Sequence, residues 1–393
     1  MTDPLGQSQV LPYIKGLMEH GYSFHLISFE KPERFKQHKK HIQAICDEAG
    51  INWHPQDYVH KGGALGTVGL VKRMKRVSLY LHNKHHFDII HCRSYIPALI
   101  GLRFKKLGVK LVFDMRGFWA DERVDGGIWP LNKLVYKLIY NFFKKKEKLF
   151  FSKADYTISL TDNGKNEILS WPSTNPNINI KIIPCCANLN LFDRAKATAE
   201  VKASIRTKVG LDENDFVLGY IGSIGTWYML PEMLDYFNEL KAVRPNSKFL
   251  FVTGETPKKI IAEASKKGIG ADDIKIISVL HHEVPSFISI MDVSIFFIRP
   301  SYSKKASSPT KQGEIMAMGV PLICNANVGD TDLIVNKYQS GIVIDKFDSA
   351  TYQNNIIDPS KFDSDKISEG ATDYFSLTEG VQRYLSVYKA VCE

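Results

Sequence analysis

The stretch "VSIFFIRPSYSKKASSPTKQGEIMAMGVPLICNA", from Val293 to Ala326, places two apolar runs on either side of a short helical segment. Its first run, VSIFFIR, and its last, PLICNA, are rich in Val, Ile, Leu and Phe. Strands that are buried on both faces of a parallel sheet have this composition. Parallel neighbours also need a crossover connection of a dozen or more residues. The stretch therefore predicts a strand, a crossover and a second, parallel strand.

The same rhythm extends through the rest of the chain. The second half contains four further apolar runs: FVLGYIG (216–222), KFLFVTG (248–254), IKIISV (274–279) and GIVID (341–345). The first half contains five: SFHLISFE (23–30), DIIHCRS (88–94), KLVFDMRG (110–117), DYTISL (155–160) and IKIIPCC (180–186). Segments with apolar residues at helical spacing separate these runs. The alternation predicts an α/β protein with two doubly wound, mainly parallel sheets.

A polar, strand-free stretch from about Asn188 to Asp215 separates the halves and is the best candidate linker. Ligands of such sheets bind beyond the carboxyl ends of the strands, so we expect the site in the cleft between two domains.

At the start, residues 1–9 have the pattern of a strand-to-helix loop, followed by a helix at 10–19, yet no strand precedes them. Either the first sheet has one strand fewer or, as we favour, the sequence begins inside a longer gene product.

Length and composition narrow the class of protein. A chain of 393 residues favours two domains. The net charge of +9 favours anionic partners, whether nucleotides, phospholipid surfaces or nucleic acid. No run approaches the roughly 20 apolar residues that span a bilayer, and no signal segment is evident. Six cysteines without metal-ligand spacing argue against a disulfide framework or a zinc site. We expect a cytoplasmic protein.

The polar cluster before the helix in SSPTKQGEIMAMG is the main candidate site. A helix start offers unpaired N–H groups and partial positive charge, both of which suit phosphate. Lys311 lies in the expected first turn, where the helix dipole disfavours a cation unless a diphosphate binds, and Arg299 precedes it. Glu314, about one turn further on, can accept both hydroxyls of a ribose. The alternative is a surface lysine and a capping glutamate, with Thr310 as one possible cap.

Two other stretches supply candidate ligands. In GYIGSIGTWYMLPEML (219–234), Gly222 and Gly225 follow a strand, which lets backbone amides approach a phosphate, although a plain tight turn has the same pattern. In VFDMRGFWADERVDGG (112–127), charged residues and aromatics follow a strand end, and a neighbouring strand ends at Arg93. Binding and a salt-bridged loop are the two interpretations of this second cluster.

The segment LNKLVYKLIYNFFKKKEKLFFSK, from Leu131 to Lys153, carries apolar residues at helical spacing with lysines between them. Packing against a sheet explains the apolar stripe. The density of lysines also favours an anionic membrane surface, where each basic residue contributes about 1 kcal/mol of attraction. A solvated lysine face is the alternative.

Taken together, these features resemble the retaining glycosyltransferases of family 4, of the bacterial surface-polysaccharide type. Their GT-B fold has two facing Rossmann-like domains. The resemblance covers essentially the whole chain, through PLGQSQVLPYIKGL, IIPCCANLNLF, GYIGSIGTWY, HHEVPSFI and, most specifically, SPTKQGEIMAMGVPLI. It implies an acceptor-binding domain at residues 1–195, a donor-binding domain at 196–370, and a C-terminal helix at 371–393 that packs back on the first domain. It also implies that the first strand of the N-terminal domain is missing from this chain.

The resemblance assigns roles to individual residues. Glu314 matches the second glutamate of the family's Glu-x7-Glu region, which binds the donor ribose. From the residues themselves, we expect Lys311, Arg299 and Arg116 to be catalytic, because they can stabilise the leaving diphosphate or face the reacting sugar. Those implied for donor binding are Gly222, Ser223, Gly225, Val279, Val284, Ser308, Thr310, Lys311 and Glu314. Those implied for acceptor binding are Gly6, in the first loop, and Arg93, Arg116, Asp121 and Glu122.

The sequence departs from the family at three places. Ala306 stands where the first glutamate would contact the donor sugar, so the resemblance does not predict the hexose. Arg116 stands where a histidine is common. The usual arginine and lysine after the glycine turn are absent between Gly222 and Tyr228, and Lys311 with Arg299 would take their place.

The implied reaction is transfer of a sugar from a UDP- or GDP-sugar, with retention of configuration, to a saccharide or lipid-linked acceptor. No metal and no tightly bound cofactor is implied. A nucleotide-sugar epimerase on the same scaffold is the nearest alternative, and it would convert the donor alone. A basic nucleic-acid-binding protein is a remote one, and a sugar-binding member that has lost catalysis is a third.

Overall fold

The computed structural model describes residues 1–58 and 63–393 of the chain. Its contacts divide the chain into two compact units. Unit 1 comprises Met1–Pro184 together with Leu377–Glu393, and unit 2 comprises Cys185–Ser376. The sequence-based boundaries were 195/196 and 370/371, whereas these units meet at 184/185 and 376/377. One C-terminal helix was expected at residues 371–393. The structure has two helices there, the end of one at Phe375 and another at Leu377–Cys392, with a break at Ser376 between them.

The described strands are β1 His25–Glu30, β2 Asn52–Asp57, β3 Ile89–Arg93, β4 Lys110–Asp114, β5 Tyr156–Ser159, β6 Ile180–Ile182, β7 Phe216–Ile221, β8 Ser247–Val252, β9 Ile274–Ile277, β10 Val293–Phe296, β11 Leu322–Asn325 and β12 Gly341–Ile344. All of their pairings are parallel, as the alternation predicts.

The described helices are α1 Pro4–Gln9, α2 Leu11–Met18, α3 Pro32–Ala49, α4 Gly63–His85, α5 Tyr95–Lys105, α6 Trp119–Asp125, α7 Leu134–Lys153, α8 Asp162–Ser170, α9 Ala199–Val209, α10 Leu230–Val243, α11 Pro257–Lys266, α12 Val284–Ile288, α13 Thr310–Ala317, α14 Thr331–Tyr338, α15 Ser349–Asn354, α16 Ser364–Phe375 and α17 Leu377–Cys392.

Unit 2 contains a six-stranded sheet of order β12-β11-β10-β7-β8-β9. The chain builds outward from β7 to β9, returns to the other side of β7, and then builds outward from β10 to β12. The strand order therefore reverses between β7 and β10, and ligands of open parallel sheets bind at such a point. Every residue of β7 is buried, and the core of unit 2 surrounds it.

Unit 1 contains a two-stranded sheet, β1-β2, and a separate four-stranded sheet of order β3-β4-β5-β6. The chain enters this unit through helices. The expected loop at residues 1–9 is wrong from Pro4 onward, because Pro4 is the first residue of α1, where its missing N–H costs nothing. The helix expected at 10–19 is present as α2.

Candidate functional site

The turn after β7 begins at Gly222, which is exposed and has a φ of +94°. Side chains other than glycine rarely adopt this conformation, so the position favours a residue without a Cβ. The Gly222 N–H donates to the carbonyl of Val252 at 2.9 Å, which anchors the turn to the end of β8. The glycine turn that the sequence predicts is therefore present at the point where the strand order reverses.

Lys311 is the second residue of α13, and its side chain is largely buried, with 8% of the residue exposed. Its Nζ atom lies 4.0 Å from the ring centroid of Tyr220 and 3.7 Å from that of Tyr228. Nζ has no hydrogen-bond partner among residues 1–58 and 63–393. Burial lowers the pKa of Lys311 well below its usual value, and the charge of Glu314 opposes that shift only in part. The alternative in which Lys311 is a surface lysine is therefore wrong, because its amine is buried between two tyrosines.

Lys311 and the glycine turn lie side by side. A Cβ atom built on Gly222 would be 3.4 Å from the Nζ of Lys311. The N-cap of α13 is Pro309, with no side-chain capping hydrogen bond. The alternative in which Thr310 caps the helix is therefore wrong. The helix start, the turn and the amine together combine groups that attract phosphate.

Ser308 and Thr310 occupy the approach to this helix, and both are half-buried. The Ser308 Oγ atom accepts a hydrogen bond from the N–H of Cys185 at 3.2 Å, so it holds the first residue of unit 2 against the helix start. Ala306, where the family has its first glutamate, is fully buried in a 3₁₀ turn at Tyr302–Ala306.

Glu314 lies in the middle of α13, where its side chain is 12% exposed. Its Oε1 atom is 3.1 Å from Nε2 of His281, the first residue of a 3₁₀ turn after β9. The hydrogen bond and the negative charge of Glu314 raise the pKa of His281, although burial opposes them. Val279 and Val284, expected near the nucleotide base, flank His281 and pack partly buried against the core of unit 2.

Other predicted donor residues have different partners. The Gly225 N–H lies 3.4 Å from Oε1 of Glu255, a carboxylate that would repel a phosphate placed there. The Ser223 carbonyl accepts a hydrogen bond from the Tyr220 hydroxyl at 2.6 Å. Arg299 is exposed, and its backbone N–H donates to the carbonyl of Trp227 at 2.8 Å. The glycine turn thus contributes Gly222 to the neighbourhood of Lys311, while Gly225 faces an acidic group.

In unit 1, a charged cluster lies at the carboxyl ends of β3 and β4. The sheet register places Arg93 directly opposite Asp114, which is fully buried. Asp114 accepts hydrogen bonds from Arg93 at 3.1 Å and from the Tyr384 hydroxyl at 3.0 Å. The guanidinium of Arg116, a residue with a φ of +58°, is 3.9 Å away.

Burial alone would raise the pKa of Asp114, but Arg116, Arg93 and His91 hold it well below its usual range. The carboxylate therefore stays ionised and holds both arginines at this edge of the sheet. Arg93 and Arg116 remain partly exposed, at 30% and 14% of their side chains.

The remaining acceptor candidates lie elsewhere. Asp121, on α6, is 6% exposed and accepts hydrogen bonds from Tyr140 at 2.8 Å and Lys144 at 2.9 Å. These contacts give Asp121 a structural role in joining α6 to α7, the salt-bridged alternative that its pattern allowed. Glu122, its neighbour, is half-buried. Gly6 lies within α1, not in a loop, and a Cβ there would be 2.7 Å from the backbone of Met1, so the close approach at Gly6 is to protein.

The α7 helix exposes an apolar face. Leu134 is 70% exposed, Val135 61%, Leu138 60% and Phe142 47%. Exposed lysines lie on or beside the same helix: Lys133, Lys137, Lys145 and Lys148.

No helix in residues 1–58 or 63–393 has the length and apolarity to cross a bilayer. Nor does that part of the chain contain three or more His, Cys, Asp or Glu side chains arranged to hold a metal ion.

Residues 7–191 match the family described as Glycosyltransferase Family 4, and residues 201–361 match Glycosyl transferases group 1. The chain belongs to the GT-B glycosyltransferases. A curated relative, D-inositol 3-phosphate glycosyltransferase of Segniliparus rotundus, is 22% identical to this transferase over 286 residues, which are 70% of the chain. The match spans only 59% of that relative's length.

Solved structures of the same fold include a glycosyltransferase from Rickettsia africae, with a TM-score of 0.74 and 15% identity over 99% of this chain and 97% of that one. The Anabaena protein Alr3699/HepE, in complex with UDP-glucose, has a TM-score of 0.67 and 12% identity over 94% of this chain and 100% of its own. At these identities the likeness shows the fold, and it confirms the fold expected from the sequence.

Sequence reasoning missed two groups of residues at the transferase's candidate site. Tyr220 and Tyr228 enclose Lys311, and His281 contacts Glu314. A signal was available for both, because the tyrosines flank the glycine turn and His281 opens the HHEVPSF motif. Neither motif by itself predicts that its side chains contact residues of α13.

Proposed function

We propose that this transferase moves a sugar from a UDP- or GDP-sugar, with retention of configuration, to a saccharide or lipid-linked acceptor in the synthesis of a bacterial surface polysaccharide. The supporting observation is the buried Lys311 amine, which lies beside the backbone of Gly222 and has no hydrogen-bond partner in the part of the chain that the structure describes. A buried amine favours an anion that returns the hydrogen bonds lost from water. A diphosphate beside Gly222 is such an anion.

The diphosphate is also the group whose charge grows during sugar transfer. Breaking the bond between the sugar and the nucleotide leaves a nucleoside diphosphate, and fixed donors at that point stabilise the transition state. Lys311 and the first amides of α13 supply donors beside Gly222, with Arg299 as a further cation. Lys311 becomes fully protonated as negative charge approaches, because an opposite charge raises the pKa that burial has lowered.

Glu314 accepts the ribose hydroxyls in this proposal. Its carboxylate is held by His281, so its orientation is fixed before the nucleotide arrives. The neighbouring Val279 and Val284 place partly apolar surface where the base would stack. The Anabaena protein of the same fold, in complex with UDP-glucose, supports a nucleotide-sugar donor of this class.

We assign acceptor binding to unit 1. The arginine pair of Arg93 and Arg116 provides positive charge and planar donors that suit a hydroxyl-rich or phosphorylated acceptor. Glu122 is retained as a further contact. Asp121 is left out, because Tyr140 and Lys144 already engage its carboxylate.

The exposed face of α7 fits an anionic membrane on the cytoplasmic side. Four exposed apolar side chains, with lysines around them, combine the two attractions used by helices that lie in a bilayer interface. A lipid-linked acceptor would be reached from this position.

The exposed face of α7 predicts that the protein sediments with phosphatidylglycerol vesicles and not with phosphatidylcholine vesicles. Replacing Leu134 and Leu138 by serine should abolish it, and unchanged sedimentation would remove the membrane from the proposal.

The transfer reaction is tested in two steps. UDP- and GDP-sugars are first screened for a rise in thermal midpoint, because a ligand that binds only the folded protein raises it. The donor found is then incubated alone and with saccharide acceptors, and the products are followed by NMR. Formation of a glycoside with the donor's anomeric configuration is expected. Conversion of donor without acceptor would indicate an epimerase, and inversion would refute retention.

A further inference from the structure

The Nζ atom of Lys311 is held in surroundings that disfavour its protonated form. It packs against the ring faces of Tyr220 and Tyr228, and within the described part of the chain it has no hydrogen-bond partner. Burial lowers the pKa of this amine well below 10.5, and the charge of Glu314 opposes that shift only in part. A desolvated lysine amine with a free lone pair is a nucleophile.

The titratable groups around this amine do not hold a proton on it. Burial raises the pKa of Tyr228 to about 12 and that of Tyr220 well above 10, so both phenols are neutral at physiological pH. Glu255, which acts on Tyr220, and Cys185, which acts on Tyr228, add to these shifts. The π faces of the two rings attract a cation, but that attraction is weaker than the hydration that an ammonium ion loses on burial. The free protein therefore presents a neutral amine.

The same amine lies beside groups that bind phosphate. Lys311 is the second residue of α13, and none of the residues in the first turn of that helix is acidic. Gly222 is exposed, and a Cβ atom there would be 3.4 Å from Nζ, so a side chain at this position would close that side of the amine. The N–H groups of a helix start attract anions, and a buried amine without a partner adds a further donor.

Acyl phosphates have the two features that this arrangement selects. Their phosphate end is an anion that the helix start can bind. Their acyl carbon is an electrophile, and it is joined to the phosphate through one oxygen atom. A phosphate bound at the start of α13 therefore brings the acyl carbon close to Nζ. Exposed lysine amines are mostly protonated at neutral pH and react slowly with such compounds.

We propose that Lys311 is a site of acylation by small acyl phosphates, which bind where the donor diphosphate binds and transfer their acyl group to Nζ. The lone pair of Nζ attacks the acyl carbon, the bond between that carbon and the phosphate oxygen breaks, and an amide forms. The departing phosphate takes up the proton that the nitrogen loses. This inference rests on the phosphate-binding role in the proposed function.

Acylation at this position would switch off nucleotide binding. An amide nitrogen is not protonated at physiological pH, so it cannot pair with a diphosphate as a cation. The added acyl group would also fill space beside Gly222. The transferase would then respond to the supply of acyl phosphates, a property separate from the sugar that it transfers.

The test measures acetylation of the 393-residue protein by acetyl phosphate at each lysine, with mass spectrometry. Lys258 is the matched comparison, because it is the second residue of α11, as Lys311 is of α13, but is exposed. The succinimidyl ester of acetic acid is used in parallel, because it carries no phosphate for the site to bind. Acetyl phosphate is kept below saturation, since a bound phosphate favours protonation of the amine and the neutral free protein must set the rate.

Acetyl phosphate at about pH 7.5 should acetylate Lys311 at least about tenfold faster than Lys258, because only a neutral amine attacks the acyl carbon. The rate at Lys311 should change little with pH above its lowered pKa. Saturating inorganic phosphate should remove the preference, and the succinimidyl ester should not show it. Equal rates at the two lysines, or the same preference with both reagents, would overturn the proposal.

Calorimetry with UDP and GDP separates this proposal from the transfer reaction. Protein acetylated at Lys311 should lose nucleotide binding in proportion to the fraction modified. If acetylation prefers Lys311 but nucleotide binding is unchanged, the acylation site is supported and the donor role of this lysine is refuted. If Lys311→Met loses nucleotide binding but acetyl phosphate leaves the wild-type lysine unmodified, the acylation proposal is refuted and the donor role stands.

Discussion

Replacing Lys311 by methionine separates a nucleotide-binding role from a structural one. Methionine keeps an unbranched apolar stem between Tyr220 and Tyr228 and removes the amine. No hydrogen bond of Nζ is lost, because Nζ makes none in this structure. The fold should therefore persist, and its stability should be equal to or above that of the wild type, since the cost of burying a cation disappears.

The expected loss in function follows from the contact removed. A hydrogen bond to a charged group contributes about 1.5–3 kcal/mol. Because about 1.4 kcal/mol corresponds to a factor of ten, nucleotide affinity and turnover should fall by about ten- to a hundredfold. A larger loss in turnover than in UDP or GDP affinity would mean that Lys311 acts mainly on the leaving diphosphate in the transition state.

The substitution also has a pH signature. Since burial lowers the folded-state pKa of Lys311 below the value of 10.5 expected in the unfolded chain, the unfolded chain binds more protons between these two pKa values. This lysine therefore makes the wild type more stable as pH rises from its lowered pKa toward 10.5. Lys311→Met should lose that rise. Nucleotide binding should take up protons in the wild type and not in the variant.

The assay is isothermal titration with UDP and GDP in two buffers of different ionisation enthalpy, alongside urea unfolding across pH. Lys259→Met is the matched control, because Lys259 is an exposed lysine of α11 and its replacement changes the net charge equally. Unfolding of Lys311→Met would show that the lysine is structural. Unchanged nucleotide affinity in a folded variant would refute the diphosphate role.

Three further substitutions test the rest of the site. Glu314→Gln should weaken UDP and GDP binding by about tenfold if its carboxylate holds the ribose, and unchanged calorimetry would contradict this. Gly222→Ala should abolish nucleotide binding. Its control is Gly21→Ala, at a position with a similar φ of +87° and no neighbour within 4 Å of the added Cβ. That variant should bind nucleotide and lose only about 1–3 kcal/mol of unfolding free energy to backbone strain. Asp114→Asn removes the buried carboxylate that Arg93 and Arg116 face and should cost about 3–5 kcal/mol in urea unfolding, against about 1 kcal/mol for Tyr384→Phe. The stability from Asp114 is present above about pH 4 and is lost as pH falls toward its lowered pKa; equal losses in the two variants would show that its charge contributes nothing.

Local patterns predicted eleven of the twelve described strands and missed β2, Asn52–Asp57, which is not a continuous apolar run. Continuous apolar runs such as β7 and β10 specify strands buried on both faces, and the glycine after β7 specifies a turn with positive φ. These features depend on a residue and its close neighbours in sequence, so they can be recognised before the fold is known. The resemblance then related the helix start at α13 to a nucleotide-sugar.

The sequence by itself therefore determined parallel sheets, crossover helices and a glycine turn near a basic helix start. Only the tertiary structure decided that Lys311 is buried between Tyr220 and Tyr228 and that Asp121 is bound by α7. Those partners are separated by about twenty to ninety residues along the chain. Which of them meet depends on the order of strands in a sheet, and strand order is fixed by the burial of whole faces and not by any local pattern.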